Sequence, residues 1–398
     1  MGKLGVAVIG LNGAVATTAA AGIAAIRAGG NDLSGLPLAG RQIDGMHDYR
    51  DIEFAGWDLN GRSVADAAQA AEVVPSATLS QVRGELSAIK PWAAVGSRDF
   101  CANIDGDNKI NGGGGHRAAV ARIKDDLDRF RDERKVDDLV VINLASTERL
   151  PNANGMLEKL DAFEEGLDAD APEISPAMLY AYAAIDHAVP YANFTPSVAA
   201  DAKALVEFAE QRGVPVAGKD GKTGQTMIKT VIAPALRDRS LHVDGWFSTN
   251  ILGNSDGLAL DDPKSLASKV DTKKRVLDDI LGYPVEDHIV MIHYYRPRGD
   301  AKEAWDNIDI TGFLGQKMQL KLNFLCQDSI LAAPLVIEIA RVLDLAKKRG
   351  DKGVQEQMGL FFKLPQTRDG RQPEHEFSRQ VQALDGWLAN GSGKGRPN

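Results

Sequence analysis

At 398 residues, with 44% hydrophobic and 25% charged side chains, the chain has the balance of a folded globular protein with room for two domains, which excludes fibrous and low-complexity classes. Its 46 basic and 55 acidic residues leave a net charge of -9, which argues against nucleic acid or an anionic membrane as the main partner. Cys101 and Cys326 are far apart and lack CxxC spacing, so neither a disulfide framework nor a zinc cluster is expected, and a reducing, cytoplasmic compartment fits.

In chain order, Leu4 to Ile9 is a short apolar run that predicts a buried strand, and Ala14 to Ala28 predicts an alanine-rich helix closed by Gly29 and Gly30. Lys3 ahead of this stretch superficially resembles a secretory signal, but Gly10, Asn12 and Gly13 interrupt it where a strand-turn-helix unit needs its turn. No later run has the roughly 18 apolar residues of a membrane span. At Gly10-Leu11-Asn12-Gly13, backbone amides and the positive helix end can receive a pyrophosphate. Asn12 and Val15 stand where GxGxxG has its later glycines, so a nucleotide turn and a plain tight turn both remain open. Ile52 to Trp57 predicts a second strand that delivers Asp58 at its carboxyl end, either as a ribose ligand or as a solvated acid.

A charged helix is predicted from Arg117 to Lys135, then a strand from Leu139 to Asn143 and the polar loop Ala145-Ser146-Thr147-Glu148-Arg149. A helix from Val198 to Arg212 and a strand from Val214 to Ala217 lead into the loop Gly218 to Thr226, whose glycines and hydroxyls suit a phosphate cradle opening a helix. A Walker A reading of Gly221-Lys222-Thr223 fails because it requires glycine at Val216. Beyond this point His288 to Tyr295 and Gln319 to Leu325 alternate like antiparallel strands of another layer. The fold class expected is therefore α/β, a Rossmann-like doubly wound parallel sheet with an inserted α+β domain. We assign residues 1–226 plus 342–398 to the first domain and 227–341 to the second, with a helix from Ile330 to Arg349 leading back to the first.

The second domain carries the polar loop Asn250 to Gly257 and the basic residues Lys264, Lys269, Lys273, Lys274 and Arg275, with Lys269 and Lys273 one helical turn apart. Arg296, Arg298, Asp300 and Lys302 follow, and Asp328 comes after Cys326. Zinc-hydrolase, serine-nucleophile and other metal-ligand motifs are absent from the sequence. Lysines, aspartates and phosphate-shaped loops suit redox-assisted carbanion chemistry on a phosphorylated substrate, in which ammonium groups stabilise an enolate.

Taken together, these segments resemble the myo-inositol-1-phosphate synthase family from the first strand to about Pro365. Asp220-Gly221-Lys222-Thr223-Gly224-Gln225-Thr226 is similar to that family's phosphate loop, Asn250 to Gly257 to its N-x-L-G-N-x-D-G segment, and Cys326-Gln327-Asp328-Ser329 to its C-E-D-S. Gly56-Trp57-Asp58, Ser146 to Arg149, Gly299 to Lys302 and Phe362 to Pro365 continue the series. The resemblance implies NAD-dependent conversion of glucose 6-phosphate to inositol phosphate through oxidation at C5, enolisation at C6, aldol closure onto C1 and return of the hydride. It implies Lys269, Lys302 and Lys363 as catalytic lysines, with Asp220, Asp256 and Asp328 orienting them. Thr223, Gly224, Gln225, Thr226 and Lys273 are implied to hold the substrate phosphate. NAD is implied to lie against Gly10, Leu11, Asn12, Gly13, Asp58, Ala145, Thr147 and Asp300, and the assembly to be a homotetramer built through the second domain. The chain departs from the family pattern at its first turn, at Lys219, and at Asn193 to Ala199, where Phe194 is expected to crowd the cofactor side. A related cyclase acting on another phosphosugar or nucleoside, a non-catalytic NAD or phosphate sensor, and a simple dehydrogenase stay open on the residues alone.

Overall fold

The computed structural model describes the chain except for residues 1, 31, 111–113, 154, 254–275 and 391–398. It begins with β1 (Leu4–Ile9) and α1 (Ala14–Arg27), then β2 (Ile52–Asp58), α2 (Val64–Ala71), α3 (Ser76–Ser87) and β3 (Trp92–Ala93). After α4 (Gly115–Arg134) and β4 (Asp138–Asn143) come α5 (Leu160–Asp168), α6 (Pro176–Asp186), β5 (Tyr191–Asn193), α7 (Lys203–Arg212) and β6 (Pro215–Gly218). The chain continues through α8 (Gln225–Asp238), β7 (His242–Leu252), β8 (Asp287–Tyr294), β9 (Ala301–Thr311) and β10 (Lys317–Gln327). It closes with α9 (Asp328–Lys348), β11 (Gly353–Val354) and α10 (Phe377–Asn390).

The first sheet has the order β11-β6-β5-β4-β1-β2-β3 and all its strands are parallel. Every residue of β1 is buried, as a central strand covered by helices on both faces requires. Ile23, Val82 and Val336 from α1, α3 and α9 pack one face, while Ile123, Phe163, Met178 and Leu205 from α4 to α7 pack the other. The strand order reverses between β1 and β4. In wound sheets the crevice outside the carboxyl ends at such a switch point receives the ligand. The helix predicted from Val198 begins at Lys203 instead, because the Asp201 carboxylate accepts the Ala199 N–H and bends the segment into a turn.

The second sheet has the order β10-β9-β7-β8. Two of its pairings are antiparallel, but β8 lies parallel to β7, so the purely antiparallel expectation is wrong there. Residues 253–286 separate these two strands, enough chain for a crossover, and strand alternation alone carries no sign of direction. Along β9, Lys302, Ala304, Asp306, Ile308 and Ile310 point inward, where Trp246, Ile308 and Leu236 form a smaller core. The outer face carries Phe247, Ile289, Met291 and Trp305 exposed, the last at 47%. Helix α9 starts where β10 ends and runs back onto the first sheet, with Val336, Ile339 and Leu343 fully buried.

Candidate active site

The loop between β6 and α8 is the meeting point of the two sheets. Its backbone pairs with the segment after Phe361: Lys219 N–H donates to Leu364 C=O at 2.7 Å, Lys363 N–H to Asp220 C=O at 2.6 Å, and Gln366 N–H to Gly218 C=O at 2.8 Å. This pairing brings the Lys363 ammonium to 2.7 Å from Asp220 Oδ1, with both side chains buried. Asp220 has a φ of +59°, uncommon for a non-glycine residue and a form of backbone strain found where a side chain must be aimed.

Three residues on, Thr223 Oγ1 donates to Asp328 Oδ1 at 3.0 Å, and Lys302 Nζ approaches the same oxygen at 3.3 Å. The loop thus touches both ion pairs, Lys363 with Asp220 and Lys302 with Asp328. Gly224 lies beneath Phe324 and Cys326 of β10, where a Cβ would come within 3.4 Å of the ring. Burial and the Asp328 charge push the Cys326 thiol up to about 11, so it is a neutral wall of the site rather than a nucleophile. Helix α8 begins with Gln225, and its first internal bond runs from Ile228 N–H to Gly224 C=O. The amides of Gln225, Thr226 and Met227 precede that ladder and can face an anion. Lys222 turns away from this concave side and reaches Gln380 of α10. Lys219 likewise points to Asp201, at 2.6 Å.

At the switch point, Gly10 has a φ of +86°, and a Cβ there would come within 3.1 Å of the Ala145 backbone. The turn therefore admits a group that needs close backbone approach. Its own amides are committed, however. Gly10 and Leu11 N–H donate to Trp57 C=O, Asn12 N–H to Asp58 Oδ2 at 2.8 Å, and Gly13 N–H to Gly10 C=O. The first internal bond of α1 runs from Thr17 N–H to Gly13 C=O, which leaves the amides of Ala14, Val15 and Ala16 at the open helix end. Asp58 also accepts Asn60 N–H at 2.9 Å. Each carboxylate oxygen keeps a further lone pair for a ribose hydroxyl. A glycine cradle, an open helix end and an acid at the end of β2 fit a dinucleotide, with the amides of Leu11 to Gly13 bonded within the turn and those after Gly13 at the helix end.

Other expected residues fall in different places. Ala145 lies across from Gly10, while Thr147 is buried behind the loop at 1% exposure. Asp300 stands two residues before Lys302, and its carboxylate accepts Ser329 N–H at 2.9 Å and Ser329 Oγ at 2.6 Å, tying the start of α9 to the residue before β9. Phe194 follows the carboxyl end of β5 and is half-buried. Its ring packs against Gly221, where a Cβ would sit 2.0 Å from it, and edge-on to Phe362. Asp256, Lys269 and Lys273 lie outside the described residues.

Sequence reasoning missed a buried set beneath the phosphate loop. Asp306 accepts from Trp246 Nε1 at 2.7 Å, Ser248 Oγ at 2.6 Å and Gln225 Nε2 at 3.0 Å. The available signal was an acid in the inward register of β9, between Ala304 and Ile308, where an unpartnered carboxylate would be costly.

A sequence profile described as myo-inositol-1-phosphate synthase, of an NAD-binding type, matches residues 39–389. An inositol-3-phosphate synthase of Bacteroides thetaiotaomicron is 38% identical, over 100% of this chain and 97% of its own length. The inositol-3-phosphate synthase of Saccharomyces cerevisiae is 30% identical over 85% of this chain and 70% of its own. The solved inositol-3-phosphate synthase of Caenorhabditis elegans superposes with a TM-score of 0.91 at 25% identity, covering 98% of this chain and 86% of that one. With the wound sheet, its dinucleotide turn and the lysine-bearing loop already in view, these likenesses establish that the chain belongs to the NAD-binding myo-inositol-1-phosphate synthase family.

Proposed function

We propose that the protein is an isomerase that cyclises D-glucose 6-phosphate to 1D-myo-inositol 3-phosphate with NAD. The observation that carries this reading is the convergence of Lys302 and Lys363, each on its own aspartate, upon one loop at a helix N-terminus. The substrate phosphate would lie at the Gln225 to Met227 amides and the Thr223 hydroxyl, where the helix end favours negative charge. Bound NAD supplies a transient oxidation at C5 and its reversal. The C6 proton, made acidic by the neighbouring ketone, then has to be removed, and the enolate and aldol oxyanions have to be stabilised. Two ammonium groups held in fixed directions by Asp220 and Asp328 suit the stabilising role without reorganising during the reaction. Lys269 and Lys273 complete the set in this reading.

We also propose a homotetramer, supported by the exposed apolar face of the second sheet around Phe247, Ile289 and Trp305. The second domain, at 227–341, would build this contact. We propose a cytoplasmic enzyme, in keeping with the lack of a disulfide between Cys101 and Cys326. No described helix is long and apolar enough to cross a membrane.

The test is incubation of NAD-loaded protein with glucose 6-phosphate, with the product identified by mass and stereochemistry. Inositol 3-phosphate without NADH build-up is expected. Stoichiometric NADH would indicate a dehydrogenase, and a cyclised product from another phosphosugar alone would indicate a divergent cyclase. Lys269→Ala is expected to abolish turnover and spare NAD binding, and little change in turnover would count against this reading; NAD binding with no turnover in the wild type would favour a sensor.

A further inference from the structure

Gln225 is the first residue of α8 and belongs to the phosphate loop, yet its side chain is spent inside the protein. Its Nε2 donates to Asp306 Oδ2 at 3.0 Å, and its Oε1 accepts from Asn250 Nδ2 at 2.6 Å. What Gln225 can offer an anion is therefore its backbone N–H. Asp306 is only 3% exposed and accepts three hydrogen bonds, from Trp246 and Ser248 of β7 and from Gln225 of α8, so that it bridges the strand and the helix. Lys229, one turn further along α8 and also fully buried, lies over the Trp246 ring and bonds His288 Nε2 at 2.8 Å. The charge of Asp306 is thus met by three neutral donors and one nearby amine.

Asp306 sits on β9 four residues from Lys302, with Ala304 between them, and all three face the interior. The strand that presents the lysine therefore also holds the helix that presents the phosphate amides. We infer that Asp306 is a positioning residue for phosphate recognition, fixing the Gln225 side chain so that the first turn of α8 is held at a set distance and angle from Lys302. A shift of the helix end of the order of an ångström would misplace the anion relative to the ammonium, and such displacements are costly to turnover.

This inference rests on the phosphate-loop reading above, and the experiment separates the two. Inorganic phosphate is titrated as a competitive inhibitor of the NAD-loaded enzyme, alongside KM for glucose 6-phosphate and Kd for NAD, in the wild type and in Asp306→Asn. The substitution sets an amide donor against Gln225 Nε2. Both phosphate-dependent constants are expected to rise about tenfold while NAD affinity stays within about twofold. Ser248→Ala removes a different partner of Asp306, leaves Gln225 in place, and is expected to move neither phosphate constant. Where Asp306→Asn does not accumulate as folded protein, Asp306→Ser, too short to reach Gln225, is measured in its place with the same expected rise. Unchanged phosphate constants, or an equal loss of phosphate and NAD affinity, would overturn the positioning role. Failure of phosphate to compete in the wild type would instead overturn the phosphate-loop reading itself.

Discussion

Lys363 and Asp220 are joined twice, once by the 2.7 Å contact between ammonium and carboxylate and once by the 2.6 Å backbone bond from Lys363 N–H to Asp220 C=O. The backbone bond fixes where the side chains start, so the ammonium is aimed before any substrate arrives. Replacing Lys363 by Met is expected to lower kcat by about 10²- to 10⁴-fold, the range for loss of one positioned proton-transfer or electrostatic group. NAD titration checks that the first sheet is intact, because the turn at Gly10 is held by Trp57 and Asp58 of β2.

The Gly10 turn gives a second prediction. Its φ of +86° and the 3.1 Å clearance to Ala145 leave no room for a methyl group without shifting backbone. Gly10→Ala is expected to weaken NAD binding by about tenfold or more, at a stability cost of roughly 1–3 kcal/mol. Fluorescence titration of the cofactor and a thermal melt read the two effects separately.

Phe194 and Gly221 are an interlocked pair, since the ring occupies the volume of a Cβ at position 221. Gly221→Ala alone is expected to destabilise the protein by about 1–3 kcal/mol through overpacking. Adding Phe194→Ala removes the clash and should recover part of the lost Tm. No recovery in the double variant would contradict this packing.

Burial beneath α6 raises the Glu148 carboxyl to about 7 from an ordinary 4.5, partly opposed by its bonds to Ser175 and Ala177 N–H. The native state then keeps a proton that the unfolded chain releases between about pH 4.5 and 7. Stability attributable to this group is present below about 4.5 and falls as pH rises to about 7, by up to about 3 kcal/mol. Lys222, pushed down to about 7 by burial, acts with the opposite slope above that pH. Denaturant melts of Glu148→Gln should therefore match the wild type near pH 4.5 and exceed it near pH 8. A constant offset at both pH values would count against the protonated carboxyl.

The exposed outer face of the second sheet supplies a fifth prediction. A charge at its centre, Trp305→Glu, is expected to dissociate the assembly without unfolding the protomer, as seen by sedimentation velocity. Unchanged mass would place the subunit contact elsewhere.

By itself the sequence determined the start of the fold and the chemical character of the site. The apolar run Leu4 to Ile9, the turn at Gly10 and the alanine-rich helix are local, so period and turn chemistry were enough to read them. The glycines and hydroxyls at 218–226 lie between a strand and a helix, as their order along the chain implied. Tertiary structure alone decided which groups meet there. Lys363 reaches Asp220 across 143 residues, and Asp306 reaches Gln225 across 81, through pairings that no local pattern encodes. It also decided that β8 runs parallel to β7, that the first turn spends its own amides on Trp57, Asp58 and Gly10, and that the Phe194 ring fills the space above Gly221. The physical reason is common to all five. Periodicity reports which side of an element is buried, whereas partner, direction and hydrogen-bond commitment depend on what the rest of the chain brings against that side.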